Sequence, residues 1–92
     1  MSEEKQLLDS LMNHEVVIDV KSRYVYLGHL IDYDEHYLVL KQADVHDLRD
    51  SSTTRELYVL DSRRHGYPYN RERVLLRREE AISISKLSDV RE

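Results

Sequence analysis

Apolar residues recur at helical spacing near the start of the chain and at a spacing of two afterwards. Leu7, Leu8 and Leu11 would share one face of a helix over about residues 3–13, with Ser2 as its N-cap. From His14 onward the alternation of apolar and polar side chains indicates short β-strands. The chain therefore predicts a mainly β fold preceded by one helix.

The alternation predicts five strands. They cover about residues 14–20, 24–33, 37–45, 72–77 and 81–86. The apolar run at 56–60 is interpreted as a further strand that extends the hairpin begun by the third strand. A polar stretch around 47–55 and the segment containing Gly66 and Pro68 are predicted to be loops.

Gly28 lies inside the long second strand, where a glycine often marks a bulge or a sharp bend. Val25 and Leu27 would face one side of this strand and Leu30 the other. A long strand bent in its middle allows a small antiparallel sheet to curl into a barrel. We therefore expect one domain, 1–92, built as a strongly bent five-stranded barrel.

Length and composition limit the classes of protein to which this chain can belong. Ninety-two residues allow one domain, and the absence of cysteine excludes disulfides and zinc-thiolate sites. No apolar run is long enough to span a bilayer and no secretory signal is evident, so we predict a cytoplasmic protein with no membrane partner.

Charge is unevenly distributed. Residues 1–62 hold 6 Lys and Arg against 13 Asp and Glu, whereas residues 63–92 hold 8 against 5. Six arginines (Arg63, Arg64, Arg71, Arg73, Arg77, Arg78) lie within 16 positions. Such a stripe could hold an anion locally, or it could be a solvated face that pairs with acids of a neighbouring subunit.

Catalytic motifs are missing from the sequence. The chain has neither a cysteine nor a glycine-rich phosphate loop, and its serines do not lie in a nucleophile elbow. Asp32, Asp34, Glu35 and His36 are close in sequence but follow no metal-ligand pattern. We predict no enzyme activity, no cofactor and no metal site.

Two segments together resemble the bipartite signature of the Sm-like (LSm) superfamily. The first motif is matched by Gly28, Leu30, Tyr33, Asp34 and the strand 38–40. The second is approached by Leu76, Arg77 and Arg78, followed by Ala81, Ile82 and Ile84. The turn of the first motif is short, as in the bacterial Hfq branch.

This resemblance implies a homo-oligomeric ring, closed through edge strands, that binds single-stranded RNA at its pore. By position, His36 matches the base-stacking residue and Arg77 the arginine of the second motif; Asp34, Tyr37 and Arg78 are further candidates for RNA contact. The turn aspartate of this family can also cap backbone amides. Stacking on a flat side chain is worth about 1–3 kcal/mol per base.

The chain also departs from the family pattern. The base-binding Asn of the first motif is missing, Arg78 replaces a glycine, and Glu79 and Glu80 replace a basic pair found in Hfq. Carboxylates at a pore repel phosphate. One alternative is therefore an exposed His36 with Arg77 salt-bridged to Asp34, in a scaffold or protein-interaction module that does not bind RNA.

Overall fold

The computed structural model of the chain describes residues 3–50 and 54–91. Two helices and five strands follow one another in the order α1 (Glu3–Asp9), β1 (Glu15–Val20), β2 (Tyr24–Tyr33), β3 (Tyr37–Asp47), α2 (Arg55–His65), β4 (Arg71–Arg77) and β5 (Ala81–Lys86). Short 3₁₀ turns cover Leu48–Asp50, Arg78–Glu80 and Leu87–Asp89. Ser2 and residues 51–53, which belong to the predicted N-cap and polar loop, lie outside the described residues.

The five strands form one antiparallel sheet in the order β4-β3-β2-β1-β5. The predicted fold class is confirmed: the chain is mainly β, with a helix before a bent five-stranded antiparallel sheet. Since β4 and β5 each pair on one side only, the sheet has two free edges among the described strands.

The sheet bends where β2 and β3 change register. The register changes at two points. At the first, only Gly28 of β2 lies between the paired stretches, whereas β3 has Gln42 and Ala43 there; at the second, Ile31 of β2 is the extra residue. Gln42 adopts a positive φ of 48°, as an extra residue in a bulge often does. The bulge predicted at Gly28 is confirmed, although the inserted residue at that point is on the neighbouring strand.

Buried apolar side chains occupy both faces of the sheet. One cluster, which includes Val16, Ile18, Leu30 and Leu40, packs with Leu8 of α1. The other contains Val17, Val25, Leu27, Val59 and Leu87. Alternate residues of β1 are therefore buried in opposite directions, and each helix covers a different face.

Helix α1 is shorter than predicted, because the chain leaves the α-helical path after Asp9. The amides of Leu11 and Met12 bond three residues back, to Leu8 and Asp9 at 3.0 and 3.2 Å, which tightens the last turn. Asn13 then adopts a φ of 65° and ends the turn, as its position in the sequence suggested. Its amide donates to the Leu30 carbonyl at 2.7 Å, which joins the turn to β2.

The prediction of a strand over 56–60 is wrong, since these residues lie within helix α2. Thr54 caps this helix by accepting a hydrogen bond from the Leu57 amide at 3.2 Å, and Gly66 ends it at a φ of 81°. Val59 and Ser62 are the buried residues and lie three apart, on one helical face. Helix α2 therefore replaces the predicted extension of the hairpin.

A polar pair anchors α2 to the sheet. The Tyr58 hydroxyl donates to the buried Asp44 carboxylate, and the Tyr58 ring stacks on His46 with centroids 3.9 Å apart and planes at 9°. Burial, and then this hydrogen bond, raise the pKa of Tyr58. Arg55 forms a second tie, a 2.9 Å ion pair with Asp19 of β1.

Candidate nucleic-acid interface

The turn between β2 and β3 is organised by one carboxylate. Oδ1 of Asp34 accepts hydrogen bonds from the amides of His36 at 2.8 Å and Tyr37 at 2.7 Å. These two backbone bonds lower the pKa of Asp34, because they favour its charged form. The predicted capping role of Asp34 is confirmed, and this oxygen is committed to shaping the turn.

Arg78 joins this turn to the one between β4 and β5. Its amide donates to the His36 carbonyl at 2.8 Å, and its guanidinium donates to the Asp34 carbonyl at 2.6 Å. The guanidinium carbon also lies 5.9 Å from the centre of the Tyr33 ring, within cation–π range. These contacts hold two loops that are distant in sequence side by side at one end of the sheet.

Arg78 occupies the position where the family motif has glycine, yet the bend does not require one. Residues 78–80 form a 3₁₀ turn, and Arg78 is not among the described non-glycine residues with positive φ. A side chain is therefore tolerated there without backbone strain.

His36 and Arg77 line the same small depression, together with Glu35, Arg78 and Glu79. Tyr37 pairs with Arg77 across β3 and β4, which places Arg77 next to the turn that carries His36. The sequence-predicted candidates are thus brought together, although their binding role stays a prediction.

Each of the two flat side chains contacts a carboxylate of its own loop. Arg77 Nη2 lies 2.6 Å from Oε1 of Glu79, and His36 Nε2 lies 3.0 Å from Oε1 of Glu35. The interpretation in which Arg77 pairs with Asp34 is wrong, because the Asp34 carboxylate is turned toward the backbone amides. Glu79, which sequence reasoning treated only as a source of repulsion, is a direct partner of Arg77.

Tyr33 connects this end of the sheet to helix α1. Its hydroxyl donates to Asp9 at 2.6 Å, and this hydrogen bond raises the pKa of Tyr33 to about 12. Tyr33, the aromatic residue of the first motif, therefore connects β2 to α1. The spacing between Asp9 and Tyr33 in the sequence offered no signal for it.

The remaining arginines of the predicted stripe are divided between two elements. Arg63 and Arg64 lie in the last turn of α2, where positive charge complements the helix dipole, and Arg71 and Arg73 lie on β4. All four are exposed. The stripe is therefore not a single strand or helix face.

Structural comparison decides the fold. The structure is similar to that of a Pyrococcus abyssii Sm protein in complex with a uridine heptamer, with a TM-score of 0.62 and 18% sequence identity over 92% of this chain and 99% of that one. The chain has the Sm-like fold.

Two further Sm-like structures agree. The P. aerophilum SmAP1 heptamer has a TM-score of 0.63 at 20% identity, covering 94% of this chain and 95% of its own. A heptameric archaeal Sm protein has a TM-score of 0.60 at 21% identity, with 88% and 96% covered. No protein-family model and no curated protein matches the sequence. The likeness of the short turn to Hfq stays a prediction.

Within residues 3–50 and 54–91, no three His, Asp or Glu side chains converge as they would around a metal ion. None of the helices in the described part of the chain combines the length and apolar character required to cross a membrane.

Proposed function

We propose that this protein is a ring-forming Sm-like RNA-binding protein and not an enzyme. Its subunits join through the free edges of β4 and β5, and the ring holds single-stranded RNA in a slot formed by His36 and Arg77. The observation that carries the proposal is the bond from the Arg78 amide to the His36 carbonyl, which sets the two loops of the slot against each other.

The two edges support self-association because each exposes a large apolar side chain and each is unpaired in the sheet. Leu75 on β4 is 61% exposed, and Ile82 on β5 is 66% exposed beside Leu7 of α1, which is 68% exposed. Leu7 and Ile82 line one groove between α1 and β5. An unpaired edge with exposed apolar side chains is stabilised by pairing with another strand, and head-to-tail pairing that closes by rotation makes a ring. The structural neighbours described above are heptamers.

The RNA slot is supported by geometry and by one neighbour. The His36 and Arg77 side chains are 73% and 63% exposed, so a base could reach both. Unpaired bases commonly stack on imidazole rings and on guanidinium planes. A neighbouring Sm protein was solved with a uridine heptamer, which makes oligouridine the first ligand to test.

A second candidate function is a ring scaffold that does not bind RNA. The ion pair between Arg77 and Glu79 favours it, because the carboxylate competes with phosphate for the guanidinium. Glu35 and Glu80 add negative charge to the same two loops.

The test of RNA binding combines the native mass of the purified protein with fluorescence anisotropy of a labelled uridine heptamer. We expect a ring that binds the heptamer at low salt. An Arg77→Ala variant should bind about 5-fold to 150-fold more weakly for each slot that the oligomer occupies, as loss of about 1–3 kcal/mol of stacking per base implies. Arg64→Ala is the matched control, since it removes the same charge from an exposed position of α2 and should leave affinity within twofold. A ring that retains no oligonucleotide at low salt would support the scaffold instead.

The edges are tested separately. Leu75→Glu and Ile82→Glu each replace an exposed apolar side chain of an edge strand with a charged one and should convert the ring into monomers. Leu57→Glu is the control, because Leu57 is 52% exposed and belongs to α2, which is neither of the two edge strands. Native masses that stay unchanged in both edge variants would contradict the proposed interface.

A further inference from the structure

In the slot, the Arg77 guanidinium and the His36 imidazole are each contacted by a carboxylate in the region of one ring-plane or guanidinium nitrogen. Glu79 contacts the Nη2 edge of the Arg77 guanidinium at 2.6 Å, and Glu35 contacts the Nε2 edge of the His36 imidazole at 3.0 Å. Both side chains are more than half exposed. The carboxylates therefore occupy hydrogen-bonding edges while solvent still reaches the side chains.

The edge and the face of a guanidinium recognise different parts of RNA. Phosphate is bound through the N–H donors in the plane, often two at once, and the attraction depends on the net charge. A base needs only the planar face, on which it stacks. When a carboxylate takes a donor edge and offsets the charge, phosphate binding weakens, whereas the stacking face stays free.

We infer that Glu79 is a positioning residue that makes Arg77 a stacking platform and withholds it from phosphate, so that the slot takes unpaired nucleobases in preference to the RNA backbone. This inference rests on the proposed RNA-binding function. Glu79, which departs from the family pattern, would then help to determine which part of the RNA is bound.

Salt dependence separates the two modes of binding. Each phosphate neutralised on a single strand adds about −0.7 to the slope of log affinity against log salt concentration. The wild-type slope should therefore be shallow, and Glu79→Gln should steepen it by about 0.7 for each slot that the oligomer occupies. The gain in affinity at low salt should be modest, about fivefold or less per slot, because exposed ion pairs are weak.

The experiment measures anisotropy over a salt series with two labelled probes, the uridine heptamer and an abasic ribose-phosphate heptamer of equal length. Wild type should bind the uridine heptamer and bind the abasic probe at least tenfold more weakly. Glu79→Gln should gain affinity for the abasic probe and a steeper slope with both probes, and Glu79→Asp should retain the wild-type preference. Glu56→Gln, an exposed charge change on α2, controls for net charge, and native masses confirm that all variants form the same ring.

The outcomes are distinct. Equal slopes and equal abasic binding in wild type and Glu79→Gln, with uridine still bound, would overturn the role of Glu79 and leave the proposed function standing. If wild type bound neither probe and Glu79→Gln bound both with equal affinity, Glu79 would act by simple charge repulsion, and this result would also overturn the inference. Failure of every protein to bind either probe at low salt would overturn the RNA-binding function itself.

Discussion

Gly28 of β2 lies directly against Ala43 of β3: a β-carbon built at position 28 would stand 3.2 Å from both Cα and Cβ of Ala43. Cβ of Leu40 would be 3.3 Å away. The close approach occurs at the bulge, where β3 carries one more residue than β2. Glycine is needed at position 28 because a side chain would lack space. Its backbone φ is not positive, in contrast to that of Gly66.

Replacing Gly28 by valine should lower the free energy of unfolding by about 1–3 kcal/mol, because the added atoms overpack the bend. Urea denaturation followed by circular dichroism measures the change. Ala43→Gly should recover part of the loss in the double variant, since it removes one of the contacting carbons. Losses that simply add would show that the two positions are not coupled.

Tyr33→Phe should reduce stability at neutral pH and change how stability falls as the pH rises into the alkaline range. The folded pKa of Tyr33, about 12, lies above its ordinary value of 10.0. Its hydroxyl therefore contributes stability that is fully present below pH 10 and is lost as the pH rises through about 12. Thermal melts should show a lower Tm for the variant at pH 8 and a shallower decline than wild type above pH 10. Curves of Tm against pH that run parallel for wild type and variant would show that the Tyr33–Asp9 hydrogen bond does not link stability to pH.

Tyr58→Phe should destabilise the docking of α2 on the sheet. Asp44 is 7% exposed, and removing the hydroxyl leaves its carboxylate without that donor. A buried polar group deprived of its partner costs about 1–3 kcal/mol. Tyr69→Phe is the control, because Tyr69 is 50% exposed and should show no loss. Equal stability of the two variants would mean that the Asp44 bond is not needed.

Thr54→Ala should loosen the first turn of α2, at a cost of about 0.5–2 kcal/mol in stability. Amide exchange at Leu57 should become faster, since that amide loses its acceptor, while exchange in β1 and β2 should change little. Thr54→Ser keeps a hydroxyl at the cap and should restore protection. Unchanged exchange at Leu57 in the alanine variant would argue against the cap.

The strands and the first turn were predictable because their signals are local. β2 has the predicted bounds, Tyr24–Tyr33, since a run of alternating apolar residues reports directly on strand geometry. The role of Asp34 was also accessible, because an aspartate at a turn bonds amides two and three residues ahead.

Helix α2 had signals that were not given enough weight. Thr54 as cap, Glu56 in the first turn, basic residues at 63–65 and Gly66 after the last turn together indicate a helix. The apolar run 57–60 outweighed them, since short apolar runs are ambiguous between strand and helix. The one-face spacing from Val59 to Ser62 resolves the ambiguity.

By itself, the sequence determined the five strands, the position of the bend at Gly28 and the turn shaped by Asp34, because each depends on residues within a few positions of one another. Only the tertiary structure decided which partners meet across long separations. The extra residue at Gly28 lies on β3, which only the pairing of the two strands shows, and Arg78 reaches the Asp34 carbonyl because folding brings the two turns together. The Arg77–Glu79 ion pair, by contrast, is local in sequence, and only the structure showed that Arg77 contacts Glu79.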